Sequence, residues 1–153
     1  MKQFKLFNSI IAWVTFAIAT AVYLLTMEPT ASFWDCGEFI STAFKLEVGH
    51  PPGAYLFMII GRFFTLFAGG DVTKVAIWMN SWSALASGLT ILFLFWTITH
   101  LGRKLLIKDG NYTTGKTIAV LGSGLVGALA FTFSDSFWFS AVEAEVYASS
   151  SLF

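Results

Sequence analysis

Long uncharged apolar runs limit what this sequence can fold into more than any other feature. Three runs reach the length of about 20 residues that an α-helix needs to cross a bilayer, at about residues 8–27, 75–101 and 117–134. Only 12% of the 153 residues are charged, against about 25% in soluble domains. This composition excludes a soluble enzyme and a nucleic-acid-binding domain with a basic patch. The sequence therefore predicts an all-α polytopic membrane protein with three transmembrane helices.

Residues 53–70 are long and apolar enough for a fourth span, but Arg62 stands at their centre. An arginine at the middle of a bilayer costs about 2.5–3.5 kcal/mol on insertion scales. A fourth span would also move the basic residues between the second and third predicted spans outside, against the positive-inside tendency. We therefore predict a cytoplasmic N-terminus, an outer loop 28–74 with helices lying in the membrane interface, and an outer acidic segment 135–153 that leads into a further helix.

Acidic residues concentrate on the predicted outer side of the membrane. Of the nine Asp and Glu residues, only Asp109 falls on the cytoplasmic side in this topology. Acidic residues contribute little to the orientation of membrane proteins, so topology alone does not explain the asymmetry. We infer that the outer side carries the chemistry.

Two nucleotide-binding patterns occur in a context that does not suit them. Residues 110–117 fit G-x-x-x-x-G-K-[ST], and residues 122–127 fit G-x-G-x-x-G. Both motifs work between a strand and a helix of an α/β fold, whereas here they adjoin or lie within a predicted span. The small residues four positions apart, Ser123/Gly127 and Gly124/Ala128, instead favour close packing of membrane helices.

The outer loop contains two carboxylates, Asp35 and Glu38, three residues apart. On a helix they would share one face, and mutual repulsion in a partly desolvated site would raise one pKa and provide a general base. The same spacing also fits a helix cap, with Asp35 at the N-cap as in a variant of the capping box. Spacing alone does not separate these interpretations.

Three further residues are candidates for binding. His50 begins a stiff His-Pro-Pro-Gly stretch and either binds a phosphate or a metal or forms a hydrogen bond within a turn. Glu143 and Glu145 follow the third span and, if helical, face different directions, so we expect at most one of them to share a site with Asp35. No Asp-x-Asp pattern occurs among the outer acids. Its absence disfavours a required divalent metal without excluding one, and we predict no other cofactor.

The runs FWDCGEFI…KLEVGHPPGAYLFMIIGRFF and FWFSAVEAEVYASSSLF resemble the N-terminus of the bacterial family called domain of unknown function 2723. That family is grouped with protein O-mannosyltransferase-like membrane glycosyltransferases of the GT-C fold. The resemblance covers nearly the whole chain and pairs Asp-x-x-Glu with His-Pro-Pro-Gly. Because family members are much longer, it implies an N-terminal fragment that is inactive alone, located in the bacterial inner membrane.

The resemblance also implies a reaction, the transfer of a sugar from a polyprenyl-phosphate carrier to an acceptor hydroxyl at the outer membrane face. Asp35 would deprotonate the acceptor, and Glu38 would tune Asp35 or orient the acceptor. The implied partners are the lipid-linked sugar donor and membrane lipids, with the acceptor unidentified. A transporter-type subunit and a non-catalytic membrane scaffold are the alternatives.

The other candidate residues take binding roles in this scheme. A cation near the leaving phosphate would stabilise the transition state. Arg62 is the first candidate for that cation and His50 the second. Glu143 or Glu145 would contact the acceptor or the sugar.

Overall fold

The computed structural model describes residues 2–51, 53–107 and 110–153, and within these ranges it contains helices and no strand. The α-helices are α1 (Lys2–Thr26), α2 (Cys36–Lys45), α3 (Tyr55–Thr65), α4 (Val75–Leu106), α5 (Thr114–Thr132), α6 (Asp135–Val142) and α7 (Val146–Ser150). Two short 3-10 helices, Leu66–Ala68 and Val72–Lys74, lie between α3 and α4. Helices α1, α4 and α5 are long and apolar enough to cross a membrane. The predicted all-α fold with three such helices is confirmed.

Helices α1, α4 and α5 pack against one another as a bundle in which consecutive helices run in opposite directions. The closest approaches occur at glycines. A Cβ atom at Gly88 of α4 would collide with the side chain of Thr20 in α1, and one at Gly124 of α5 would lie 2.5 Å from Cγ2 of Thr99 in α4. The prediction that small residues of the third span mediate helix packing is therefore confirmed.

Residues 53–70 do not contain a helix long enough to cross a membrane. Helix α3 has 11 residues and continues in a 3-10 turn to Ala68, which together cover about 22 Å of a hydrocarbon core about 30 Å thick. Its Arg62 donates a hydrogen bond from Nη1 to the carbonyl oxygen of Phe44 in α2, and the guanidinium lies 5.4 Å from the centre of the Phe44 ring. The positive charge thus lies at the C-terminal end of α2, where the helix dipole stabilises it.

Asn80 attaches the chain that leaves α1 to the first turns of α4. Its side chain is buried, and Nδ2 donates hydrogen bonds to the carbonyl oxygens of Glu28 (2.6 Å) and Thr30 (3.1 Å). The backbone N–H of Glu28 in turn donates to the carbonyl oxygen of Val142 at the end of α6 (2.9 Å). These bonds place the start of the outer loop beside both α4 and α6.

Both nucleotide-binding patterns lie in helical surroundings. Thr113 is the N-cap of α5, and its hydroxyl accepts a hydrogen bond from the backbone N–H of Lys116 (3.3 Å). Residues 122–127 lie inside α5, and no strand precedes either pattern in the part of the chain that the structure describes. Lys108 and Asp109 lie outside the described residues.

Candidate functional site

A cavity of about 540 Å³ opens at the end of the bundle where α1 and α5 end and α4 begins. We call it the acidic cavity. Its wall is formed by the N-terminal end of α2, the chain between α2 and α3, and the break between α6 and α7. The lining residues are Trp34, Asp35, Phe39, His50, Gly53, Ala54, Ser140, Glu143, Glu145, Val146 and Tyr147. They include four of the six site residues expected from the sequence, and no Lys or Arg.

Asp35 occupies the N-cap position of α2, but its carboxylate caps no backbone N–H. Its backbone is close to helical (φ −81°, ψ −4°), and its carbonyl oxygen accepts the hydrogen bond from Phe39 N–H (2.9 Å). A residue that caps through its side chain instead adopts an extended backbone. The capping interpretation of this aspartate is therefore wrong, and its carboxylate is exposed at the cavity wall.

Trp34, immediately before Asp35, holds an unusual conformation that the sequence did not indicate. Its φ is 59°, in the left-handed region, which is uncommon for a bulky residue and costs free energy. The indole is 94% exposed. Backbone strain of this kind often accompanies functional sites. Here it occurs beside the carboxylate of Asp35.

Glu38 is engaged with His50 at two points. Its Oε1 accepts a hydrogen bond from the backbone N–H of His50 (2.7 Å), and its Oε2 lies 3.0 Å from Nδ1 of the imidazole. Gly49 allows this contact, because a Cβ there would lie 3.0 Å from Oε1 of Glu38. The hydrogen bonds from His50 lower the pKa of Glu38, and the carboxylate raises the pKa of His50. The rise in pKa expected from repulsion between the two carboxylates does not occur at Glu38.

Glu143 and Glu145 both line the acidic cavity, so the expectation that at most one would do so is wrong. The expectation assumed a helix, but α6 ends at Val142 and both glutamates have extended backbones (φ −137°, ψ 166° and φ −114°, ψ 140°). The N–H of Glu145 donates a hydrogen bond to the carbonyl oxygen of Glu143 (2.8 Å), which closes a tight turn between the two glutamates. The break between α6 and α7 thus brings both carboxylates to one wall.

Cys36 lies buried behind this wall and was not recognised as part of a site from the sequence. Its Sγ donates a hydrogen bond to Oε1 of Glu145 (3.6 Å). Burial and the charges of Glu143 and Glu145 raise the pKa of the thiol to about 12. Burial, together with the charges of Glu143 and Asp35, raises the pKa of Glu145. The carboxyl group whose pKa is raised in this way belongs to the later acidic segment.

Two groups of side chains could each hold a cation. The ligand atoms of Asp35, Glu38 and His50 lie within 4.8 Å of one another, and so do those of Cys36, Glu143 and Glu145. Both groups are already engaged, because Glu38 is paired with His50 through both oxygens and the thiol of Cys36 is protonated. A cation bound at either group would have to displace these contacts.

The structure thus brings together Asp35, His50, Glu143 and Glu145, with Glu38 bound to His50 at the rim. Arg62 lies apart, engaged with Phe44 rather than at the cavity wall. A sequence gives little sign of this engagement, because the acceptor is a backbone carbonyl, which every residue carries.

Comparisons with known proteins agree with the resemblance seen in the sequence. Protein O-mannosyl-transferase tmem260 of Dictyostelium discoideum is 27% identical over 138 residues, which are 90% of this chain and 15% of that protein. Protein O-mannosyl-transferase TMEM260 of Mus musculus is 32% identical over 140 residues, which are 90% of this chain and 17% of that protein. The chain therefore spans about a sixth of the length of these relatives. No solved structure matches it significantly.

A family model covers most of the chain and includes the whole acidic cavity except Trp34. The model of the protein O-mannosyl-transferase TMEM260 N-terminal domain matches residues 35–153. The match begins at Asp35 and contains α2 to α7 with every carboxylate that lines the cavity. The chain belongs to the family of protein O-mannosyl-transferase TMEM260 N-terminal domains.

Proposed function

We propose that the chain contributes part of the active site of a membrane glycosyltransferase. This enzyme transfers a sugar from a polyprenyl-phosphate carrier to an acceptor hydroxyl at the outer membrane face. The names of the relatives specify the proposal further, with mannose as the sugar and a protein hydroxyl as the acceptor. The observation that carries the proposal is the uncapped carboxylate of Asp35 in the wall of the acidic cavity.

Asp35 acts as the general base in this proposal. Its carboxylate takes the proton of the acceptor hydroxyl while the acceptor oxygen forms a bond to the anomeric carbon of the sugar. The bond from that carbon to the phosphate oxygen of the carrier breaks, and the polyprenyl phosphate leaves with the electron pair. Attack from the face opposite the leaving group inverts the configuration of the anomeric carbon.

The leaving phosphate needs a positive group, and His50 is better placed than Arg62 to provide it. His50 lines the acidic cavity, whereas the Arg62 guanidinium is engaged with Phe44. With Nδ1 held by Glu38, the other ring nitrogen of a protonated imidazole can donate to a phosphate oxygen. The raised pKa of His50 favours that protonated form. Glu38 is then a positioning residue, which fixes the imidazole and its charge.

Glu143 and Glu145 are placed to bind hydroxyl groups of the sugar or the acceptor. A carboxylate accepts hydrogen bonds from hydroxyls, and a protonated carboxyl also donates one. The raised pKa of Glu145 keeps its carboxyl protonated to higher pH than that of an exposed glutamate. The two neighbouring carboxyl groups therefore present several oxygen atoms to a ligand hydroxyl from one wall.

A transporter would place charged groups along a path through the spans. In the described residues, the charges of α1 and α4 instead lie near the helix ends, and α5 carries a single charged residue, Lys116, in its first turn. The acids gather at one end of the bundle. This arrangement favours a reaction at the membrane surface over passage across it.

The charges also support a cytoplasmic N-terminus. The end of the bundle opposite the acidic cavity carries Lys2, Lys5, Arg103, Lys104 and Lys116, as the positive-inside tendency favours. The acidic cavity then faces the outer side. A bacterial inner membrane stays a prediction from the resemblance.

The test compares Asp35→Asn with Asp71→Asn in the full-length protein that contains this chain. Asp71 lies at the same end of the bundle, but it bonds to Thr73 and Lys74 away from the cavity. With a radiolabelled polyprenyl-phosphate mannose donor, we expect transfer by Asp35→Asn to fall about 10²- to 10⁴-fold, the range for loss of a general base. The Asp71 variant should retain the wild-type rate. Equal transfer by Asp35→Asn and wild type would remove the proposed base and favour a scaffold.

A further inference from the structure

A second cavity, of about 340 Å³, lies at the opposite end of the bundle between α1 and α4. We call it the basic cavity. Its polar lining includes Lys5, Asn8 and Ser9 of α1 and His100 and Arg103 of α4. No carboxylate lines it, so its charge is opposite to that of the acidic cavity.

The basic groups of this cavity have no acidic partner in residues 2–51, 53–107 and 110–153. The ion pairs there involve Lys45, His50 and Lys74, and neither Lys5 nor Arg103 takes part in one. Two cations on facing helices, neither paired with an acid in these ranges, attract a phosphate group, and hydrogen bonds from charged donors to phosphate are stronger than those from neutral donors.

The side chain of Asn8 adds a second property that a ligand of the basic cavity has to match. Its Oδ1 is buried and accepts no hydrogen bond, which is costly for a buried polar atom. A ligand hydroxyl would satisfy it once the Asn8 side chain turns toward the cavity, because in the structure the oxygen has almost no exposed surface. The residues that line the basic cavity therefore favour an anionic ligand that also carries a hydroxyl group.

The position of the cavity identifies the ligand as a lipid. The cavity lies between two membrane-spanning helices near their ends, at the level where headgroups meet the hydrocarbon core. Trp96 lines it, and Trp13 continues the apolar wall toward the middle of α1, with the two ring centres 6.2 Å apart. Trp13 is about half exposed, which leaves an apolar surface for an acyl chain. A free phosphate ion would gain nothing from this surface.

We propose that the basic cavity binds the headgroup of an anionic phospholipid with a free hydroxyl, such as phosphatidylglycerol. Lys5 and Arg103 bind the phosphate, Oδ1 of Asn8 accepts a hydrogen bond from the hydroxyl, and the acyl chains lie along Trp13 and Trp96. The site is independent of the glycosyl transfer proposed above, because it lies at the other end of the bundle.

The test is native mass spectrometry of the chain in a neutral detergent with palmitoyl-oleoyl phosphatidylglycerol or phosphatidylcholine. We expect preferential retention of phosphatidylglycerol and binding about 30-fold weaker in Lys5→Gln/Arg103→Gln, at about 1 kcal/mol for each cation. The matched control Lys2→Gln/Lys104→Gln removes the same charge from the same end outside the cavity and should change binding less than threefold. Equal losses in the two double variants would overturn the site, because they would indicate general attraction to the basic end.

Two further measurements test whether the lipid occupies the cavity itself and whether its acyl chains contribute to binding. Ser9→Phe fills the cavity without changing charge, and we expect it to lose phosphatidylglycerol while its far-UV circular dichroism stays that of wild type. Unchanged lipid binding by Ser9→Phe would overturn the proposal. Glycerol 3-phosphate at millimolar concentration should not displace the lipid, and efficient displacement would identify a site for a soluble phosphate instead.

Discussion

The two ends of the helix bundle carry opposite charge, although the chain as a whole has a formal net charge of zero. At one end, Asp35, Glu143 and Glu145 line a cavity of about 540 Å³. At the other, Lys5 and Arg103 line a smaller cavity of about 340 Å³. Net charge therefore says nothing about this protein, whereas the distribution of charge along the bundle axis locates both cavities.

The two cavities also differ in how they are built. The basic cavity lies between two long helices, so its side chains can be inferred from helical spacing once the helices are paired. The acidic cavity combines the start of α2 with a break in the helices more than 100 residues later, as the contact between Cys36 and Glu145 shows. Irregular segments of the chain bring its carboxylates close together, and the packing of the surrounding helices has to fix the conformation of those segments.

The largest effect on the acidic end, apart from loss of Asp35, is expected at Glu38. Glu38→Gln weakens the two contacts that hold His50 in position. Displacement of a catalytic group can lower the rate about 10²-fold. The full-length variant should therefore transfer sugar about 10- to 100-fold more slowly than wild type. The control Glu47→Gln changes an exposed carboxylate whose nearest cation, Lys45 Nζ, is 4.0 Å away, and it should leave the rate unchanged.

The pH profile of Glu38→Gln separates a positioning role from a merely structural one. Glu38 raises the pKa of His50, so in wild type the imidazole stays protonated to higher pH and loses its proton as the pH rises through that raised pKa. In the variant the pKa of His50 falls back toward its ordinary value. The decline of activity on the alkaline side should move to lower pH. A slower enzyme with an unmoved profile would contradict the role given to His50.

A smaller effect is expected at Asn80, which fixes the outer loop to the bundle. Asn80→Leu leaves the carbonyl oxygens of Glu28 and Thr30 without their donor, at a cost of about 1–3 kcal/mol in stability. The measurement is the midpoint of thermal unfolding in detergent, together with the rate of proteolysis of the outer loop. Ser123→Ala is the control, because the Ser123 hydroxyl bonds to its own helix at Val120. Equal midpoints for the two variants would contradict the attachment.

The smallest effect is expected from chelation of divalent metals. Glu38 is paired with His50 and the Cys36 thiol is protonated, so neither group of side chains offers three free anionic ligands. Because a chelator acts on a protein through the metal that it removes, we expect about 5 mM EDTA to change transfer by the full-length protein less than about twofold. Loss of activity that Mg²⁺ or Mn²⁺ restores would show that a cation displaces these contacts.

The sequence predicts the membrane-spanning part of the fold well, because a long apolar run and the small residues within it can be recognised without knowledge of distant residues. It also identifies Asp35 and His50, which stand in a distinctive loop and line the acidic cavity. It identifies Glu143 and Glu145 as candidates too, but it fails to place both in one wall, because the break after Val142 has no glycine or proline to mark it. It fails again at Arg62, because the backbone carbonyl that Arg62 contacts carries no sequence signal.

Trp34 and Cys36, on either side of Asp35, could not be assigned from the sequence either. A tryptophan at φ 59° contradicts local preference and depends on the surrounding fold. A single cysteine indicates nothing about its neighbours until α7 is placed beside α2. Both cases concern long-range packing, which residue patterns do not encode.

The reactivity of Cys36 tests whether α2 and the break between α6 and α7 meet in one acidic cavity, because Cys36 lies between them. As the single cysteine of the chain, it can be followed by its alkylation rate with N-ethylmaleimide at about pH 8. Because the thiolate is the reactive form, burial and a pKa of about 12 should make alkylation at least about 100-fold slower than in the denatured chain. Glu145→Ala should speed it about tenfold or more with unchanged circular dichroism, whereas Glu47→Ala should not. Rapid alkylation of the folded wild type, or a rate that Glu145→Ala leaves unchanged, would contradict this arrangement.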